Sequence, residues 1–319
     1  MKVEQNHIDE EAEAFDKRIS ERTKAGFVPD LRRAVKCDYF YKSFWRDPQF
    51  IDLYLGLINK GYLCLLRSYC PKNATILDVG CGAGYMSLEL ARSGYNVSAF
   101  DISSDCIETA KQVLASNPYK DDFGSLDYKV MALHKAEGQY DVVLFSVSLH
   151  HMPDLEGSIN KAKALLKPGG CLLCYEPCHD QWQQSDAAQV ALIRSLLSLT
   201  GNWYDSESIK SQLQDEEGLS ELVKDIHHEY YYERDKHESA QSPHDNEATG
   251  EEMLSALRRH FCELEVRSGH SFIYRVLGGI RGTDEEIREL ANFIAIYDRL
   301  NVKRKFMNPN GFYFIGSKD

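Results

Sequence analysis

Nowhere in the 319 residues does an apolar run reach the length that crosses a bilayer, and the opening "MKVEQNHIDEEAEAFDKR" has no secretory core. The expectation is a soluble, cytoplasmic chain with no membrane partner. Basic residues are the minority charge: 37 Lys and Arg stand against 49 Asp and Glu, for a net charge of −12. A nucleic-acid groove needs clustered Lys and Arg to displace counterions, so nucleic acid is set aside as a partner. The basic "VKRK" around Lys303 reads as a helix end facing solvent. Cysteine follows no pairing pattern. The nine are an odd number scattered from Cys37 to Cys262, which with no leader sequence reads as reduced thiols. "CLLC", Cys171 to Cys174, has C-x-x-C spacing, but it lies in a strand-like run where positions three apart face opposite sides. Two such thiols do not easily share a metal. No internal repeat is apparent.

What is present is an ordinary globular balance, 43% hydrophobic and 27% charged, enough for one large α/β domain with added elements or for two domains. Residues 1–70 read as helical: "EEAEAFDKRISERTK" is amphipathic, and an aromatic-rich stretch from Cys37 to Cys70 follows. Strand and helix then alternate. "ATILDVG", "NVSAFDIS", "LDYKVMAL", "YDVVLFSVSL" and "CLLCYEP" read as strands, with helices between most of them. This order predicts a doubly wound parallel sheet with ligands at the strand C-termini. After Pro177 come a helix, "DAAQVALIRSLLSL", and a long polar insertion from about Ser206 to Gly250. Then "GEEMLSALRRHF" reads as a helix, "CELEVRSGHSFIYRVL" as a strand, "TDEEIRELANFIAIYDRLNV" as a capped helix and "GFYFIGSKD" as a last strand.

The chemistry concentrates in "LDVGCGAGYMSLELARSGYNVSAFDIS". Gly80, Gly82 and Gly84 follow a strand and open a helix, where glycine permits a sharp turn and close ligand approach. Asp101 comes about twenty residues later at the end of the next strand, placed to accept ribose hydroxyl hydrogens. A dinucleotide fold wants its third glycine where Tyr85 stands, and no P-loop Lys-Ser/Thr is present. The ligand read from these residues is a nucleoside without a pyrophosphate.

With Asp78 heading D-x-G-x-G-x-G, the chain resembles the class I S-adenosylmethionine-dependent methyltransferases. "FDIS" is similar to their acidic second motif, "YDVVLFSVSLHHMPD" to the fourth-strand motif, and "LLKPGGCLLCYEP" to the helix and fifth strand. The likeness covers roughly residues 70–180. "LHHMPD" and "LLKPGG" most resemble the small-molecule branch, which includes ubiquinone- and menaquinone-type enzymes. The resemblance implies an α/β fold with a doubly wound, seven-stranded, mostly parallel Rossmann-like sheet, completed by a C-terminal antiparallel hairpin. It implies 1–70 as a helical lid, 71–180 as the cofactor core, 181–260 as a helical and loop insertion over the acceptor, and 261–319 as the completion of the core.

The implied cofactor is S-adenosyl-L-methionine. Its expected contacts are Asp78, Gly80, Cys81, Gly82, Gly84, Asp101, Ile102 and Ser146. One departure stands out: "MALHKAEGQYD" after the third strand lacks the acid often found near the adenine amino group, so Ala132 and Leu133 are expected to serve through their backbone. The implied function is methyl transfer to an oxygen, nitrogen or carbon of a small, aromatic or secondary metabolite. The alternatives are a cofactor-binding protein without transfer and an enzyme acting on a peptide or protein. Such transfer needs a base only when the acceptor is weakly acidic. His150, His151 and Glu176, at the ends of the fourth and fifth strands, are the candidates for catalysis, against a packing role in the same place. Tyr41, Trp45 and His179 are the candidates for acceptor binding. The aromatic stretch reads both as a hydrophobic docking face and as a lid. In the insertion, His227, His228, His237 and His244 lack metal-ligand spacing on a clear helix, so no metal is expected, and one of Tyr230, Tyr231 and Tyr232 should face inward.

Overall fold

The computed structural model of the chain describes residues 2–232, 242–244 and 248–318. Helix α1 (Lys2–Lys24) opens it, and α2 (Pro48–Ile51) and α3 (Leu57–Tyr69) precede the sheet. The core then runs β1 (Thr75–Val79), α4 (Tyr85–Arg92), β2 (Asn96–Asp101), α5 (Ser104–Ala115), β3 (Ser125–Val130), β4 (Tyr140–Ser146), α6 (Leu155–Leu165) and β5 (Leu166–Pro177). Helices α7 (Gln184–Leu199), α8 (Ser206–Gln212), α9 (Glu216–Tyr231) and α10 (Gly250–His260) follow. The chain closes with β6 (Cys262–Ser268), α11 (Ile273–Val276), α12 (Asp284–Arg304) and β7 (Gly311–Ser317).

The sheet has seven strands in the order β3-β2-β1-β4-β5-β7-β6. The first five pair in parallel, while β7 runs antiparallel between β5 and β6. Central strands covered on both faces are apolar at every position. In β4, Val142 and Leu144 join the core on one face, and Val143 and Phe145 the core on the other. The same alternation separates Cys171 from Cys174, and all nine cysteines are unpaired. A third apolar cluster lies beside the sheet, where α7 and α9 meet α12. Among the described residues no helix is long and apolar enough to cross a membrane.

Two sequence expectations are corrected here. Residues 25–56 are not continuous helix: short turns at Asp38–Phe40 and Phe44–Arg46 precede α2. Ser43 and Asp47 accept the backbone N–H of Trp45 and Gln49, and such local bonds compete with a helical ladder. The described part of the polar insertion, expected as helix and loop, carries α8 and α9. Its charged composition hides a buried stripe, Leu222, Ile226 and Tyr230, four residues apart behind the Asp215 cap.

The strand expected through Leu277 ends at Ser268 instead. The backbone N–H groups of Ser271, Phe272 and Ile273 turn onto one fully buried carboxylate, Asp298 of α12, at 3.1, 2.7 and 3.1 Å. Three amides on a single acceptor start a helix and stop a strand. Replacing that acceptor leaves buried donors unmet. Asp298→Ala is expected to cost on the order of 3 kcal/mol in urea unfolding, with Asp298→Asn costing less because its oxygen still accepts. Equal stability of Asp298→Ala and the natural chain would refute this account of the turn.

Candidate active site

The site begins where β1 ends. The three glycines all have positive φ, +69° at Gly80, +52° at Gly82 and +79° at Gly84, but they serve different ends. A Cβ on Gly80 would fall 2.8 Å from the Ser148 Cβ, and one on Gly84 would fall 2.4 Å from the Tyr128 hydroxyl oxygen. A Cβ on Gly82 would meet nothing within 4 Å, because that residue faces a cavity. Gly84 therefore packs the turn instead of lining the cavity, a correction to its expected contact with the cofactor.

Two buried carboxylates face this loop. Asp101 accepts the Gly82 and Ser103 N–H groups at 2.8 and 2.9 Å. Burial raises its pKa, against the pull of those bonds. Asp78 accepts from the Ser87 hydroxyl with one oxygen, while its other oxygen is buried with no hydrogen-bond partner. Burial first, and then repulsion from Asp101, pushes its pKa up to about 7. An unmet carboxylate oxygen on a cavity wall is suited to a ligand that brings a donor or a positive charge.

The second half of the site hangs from the end of β5. Glu176 is fully buried. One of its oxygens accepts the Ser148 and Leu149 N–H groups, both at 2.9 Å, and the other lies 2.7 Å from His150 Nδ1. With Nδ1–H donated to the carboxylate, the His150 lone pair sits on Nε2. His151 packs 4.1 Å from the His150 ring and edge-on to Phe15 of α1. Burial, and then the charge that His150 beside it would carry when protonated, holds its pKa well below the usual histidine value, which makes it a poor proton acceptor.

One cavity of about 1030 Å³ joins these parts. Asp78, Gly80, Cys81, Gly82 and Asp101 line it, as do Ile102, Ala132, Leu133 and Ser146. From the second half come His150 and His151, and from the aromatic stretch Tyr41 and Trp45. Glu176 and His179 do not line it. Glu176 acts through His150. His179 turns away, its Nδ1 2.8 Å from the Asn310 side-chain oxygen, so it is removed from the acceptor wall. The described insertion histidines do not converge: His227 meets the Trp182 carbonyl, His228 packs at a tilt against Tyr232, His244 lies on α1, and His237 falls outside the described residues. Tyr230 faces inward and stacks on Trp182.

The cavity is also lined by residues that sequence reading did not single out, some of them on the helix expected as a lid. Helix α1 presents Ile8, Glu11, Phe15, Arg18 and Arg22, a helical stripe, to the cavity. It is tied down by Asp16, which accepts the Ser103 hydroxyl and the Asp105 N–H at 2.6 and 2.9 Å. Arg22 is half-buried over the Phe40 ring, its buried Nε meets no acceptor, and no carboxylate among the described residues pairs with it. An aromatic track leads away from the loop: Tyr85 to Trp45, Trp45 to Phe44, Phe44 to Tyr54 and Tyr54 to Tyr274, with ring centroids 4.7–5.7 Å apart. It ends at Arg194 of α7, bidentate to Glu229 at 2.6 and 3.0 Å, with Arg275 beside it. The helical spacing of the α1 stripe was a signal in the sequence; for Arg194 and Glu229 there was none.

A parallel sheet with a glycine turn after β1 and an acid closing β2 places this protein among the Rossmann-like nucleoside-cofactor binders. Comparison narrows the class. The family described as methyltransferase domain matches residues 57–225, more than half of the chain, and the chain belongs to it. A ubiquinone biosynthesis O-methyltransferase of Xanthomonas axonopodis pv. citri is 34% identical over 102 residues, 32% of this chain and 42% of that protein. The enzyme of the same description from Bordetella avium is 33% identical over 128 residues, 40% of this chain and 53% of that protein. The chain thus spans about half the length of the curated relatives it matches. A crystal structure of an S-adenosylmethionine-dependent methyltransferase from Methanosarcina mazei aligns over 80% of this chain and 96% of that one, at 19% identity and a TM-score of 0.44.

The state of Asp78 is open to measurement. Its folded pKa of about 7 lies above the ordinary 3.8, so between those values the folded chain holds a proton that the unfolded chain releases. Stability then falls as pH rises through that window. The ligand-free protein is expected to lose on the order of 2–4 kcal/mol relative to Asp78→Asn between about pH 4 and pH 7. Parallel stability curves for the two proteins would contradict the raised pKa.

Proposed function

We propose that this chain transfers a methyl group from S-adenosyl-L-methionine to a small acceptor carrying a flat ring. The observation that carries the reading is a single cavity that joins the Asp78–Gly82–Asp101 turn to the aromatic track. Its volume is at the upper end of the roughly 300–1,000 Å³ of a single-ligand pocket, which supports two ligands side by side. Family membership supports the chemistry, and the printed names of the relatives support a small-molecule acceptor. The net charge of −12 argues against nucleic acid, and nine unpaired thiols suit the cytoplasm.

The residues present fit this cofactor. Asp101 would hold the ribose hydroxyls, with Ile102 beside it, and Gly80, Cys81 and Gly82 the chain that follows. The open oxygen of Asp78 suits a donor, Ala132 and Leu133 would flank the base, and Arg22 would take the carboxylate of the amino-acid end. When bound, the cofactor supplies an electrophilic methyl group on sulfur. Everything else falls to the protein. Trp45, Tyr41 and Tyr54 orient the acceptor ring, and α1 excludes water. Glu176 fixes the His150 tautomer so that Nε2 receives the proton of an acceptor hydroxyl or amine. His151, with its depressed pKa, packs behind it.

Calorimetry with S-adenosylhomocysteine tests the cofactor. Arg22→Gln is expected to weaken it about 10–100-fold while leaving 5′-methylthioadenosine, which lacks the amino-acid end, unchanged. Equal losses for both ligands would assign Arg22 to lid folding instead. For the base, His150→Ala should lower the single-turnover rate roughly 10²–10⁴-fold at saturating cofactor and remove the acidic limb of the pH profile. A drop below about tenfold with an unmoved profile leaves positioning as the whole mechanism.

A further inference from the structure

Two neighbouring helices carry an apolar face that nothing among the described residues covers. On α7 it consists of Leu192, Leu196 and Leu199; on α12 of Phe293, Ile296 and Leu300, with Phe306 just beyond. All seven are between 44% and 65% exposed. The helices lie side by side and antiparallel. The Tyr297 hydroxyl meets the Gln189 side chain at 3.3 Å at one end, and Arg281 N–H meets the Asn202 carbonyl at 2.7 Å at the other. The two sets therefore form one patch. At roughly 100 Å² on view apiece, seven such side chains expose on the order of 700 Å². That exceeds the largest patch of most monomers and approaches the roughly 800 Å² per partner of a stable interface.

Charge order along α12 says what covers it. Glu285 and Glu289 precede the apolar stretch, Arg299 and Lys303 follow it, and all four are exposed. The intervals 285, 289, 296, 299 and 303 keep them on the same helix face as Ile296. A two-fold axis between Phe293 and Ile296 would lay this helix antiparallel on a copy of itself. Glu289 would then meet Arg299 of the second copy, Glu285 would meet Lys303, and the apolar residues would close between them. The pattern is self-complementary, as an isologous interface requires. It does not suit a lipid surface, where a helix flanks its apolar face with basic residues, and where a net charge of −12 repels anionic headgroups.

We propose that α7 and α12 form the interface of a two-fold homodimer in which α12 packs antiparallel against α12 of a second copy. The inference is independent of the methyl-transfer reading. It has a consequence for the cavity, because α7 carries the dimer leucines on one side and Arg194, at the end of the aromatic track, on the other. The interface braces the acceptor end.

Sedimentation velocity of the full chain tests it, at concentrations from about 1 to 100 μM. The natural protein should sediment as a dimer. Ile296→Glu buries an unpaired charge at the centre and should weaken the dimer at least about 100-fold, with an unchanged unfolding midpoint at monomer concentrations. Glu289→Lys and Arg299→Glu should each weaken it roughly tenfold, and the two together should return it to within about threefold, because the reversed charges meet again. A natural chain that stays monomeric at the top of the range overturns the proposal, whether or not it pellets with phosphatidylglycerol vesicles. So does a dimer indifferent to Ile296→Glu, or a double charge variant no tighter than the singles.

Discussion

The carboxylate of Glu176 is the interaction on which the site depends. It is a buried charge at the end of a central strand, and such a charge persists only if donors surround it. Three do: two backbone N–H groups from the turn after β4 and the ring of His150. In meeting them it sets the turn. Val147, a β-branched residue, is held at φ +56°, where such residues are rarely found. Ser148 is placed to donate to the Val79 carbonyl at 2.6 Å and to press against Gly80. One carboxylate thus fixes the candidate base and also backs the glycine turn on the neighbouring strand. The two halves of the cavity are one mechanical unit.

The cofactor end uses charge differently. The Asp101 charge adds to the cost of ionising Asp78, and neither acid has a cationic partner among the described residues. On the far wall, Arg22 is a half-buried cation with no carboxylate partner among the described residues. A protein that keeps like charges together and opposite charges apart within one cavity is less stable empty than it would be with neutral residues there. A zwitterionic ligand with ribose hydroxyls would satisfy all three. Helix α1, which carries Arg22, is tied to the start of α5 through Asp16 and Ser103, and Ser103 also caps α5 two residues past Asp101. The cover and the ribose acid share a hydrogen-bond network.

The far end of the cavity rests on a core of its own. Trp182, Val190, Leu222, Ile226 and Tyr230 from the insertion pack with Phe272, Ile294 and Met307 from the C-terminal segment. Segments far apart in sequence build one cluster beside the sheet. Its rigidity comes from apolar packing and from the Arg194–Glu229 pair, which spans α7 and α9. The aromatic track runs from the sheet edge into this added core.

Local pattern determined what could be read beforehand. Alternating and continuous apolar runs identified β1 to β5 and β7, because strand burial is a property of consecutive residues. The spacing of Gly80, Gly82 and Gly84 and the distance to Asp101 identified the turn, because backbone conformation there is set by the residues themselves. What the tertiary structure decided is which side chains meet. His150 and His179 both follow a strand end at the same sheet edge. One finds Glu176 and the cavity; the other finds Asn310 and none of it. Gly82 and Gly84 have the same conformation, yet Tyr128, more than forty residues away, makes one a packing residue and leaves the other open. Arg22 and Arg194 are ordinary arginines in sequence. Their surroundings, an empty wall for one and a buried glutamate for the other, come from α5, α9 and the sheet. Sequence neighbours set the backbone, but the energy of a buried charge depends on everything within a few ångströms, and distant parts of the chain supply that.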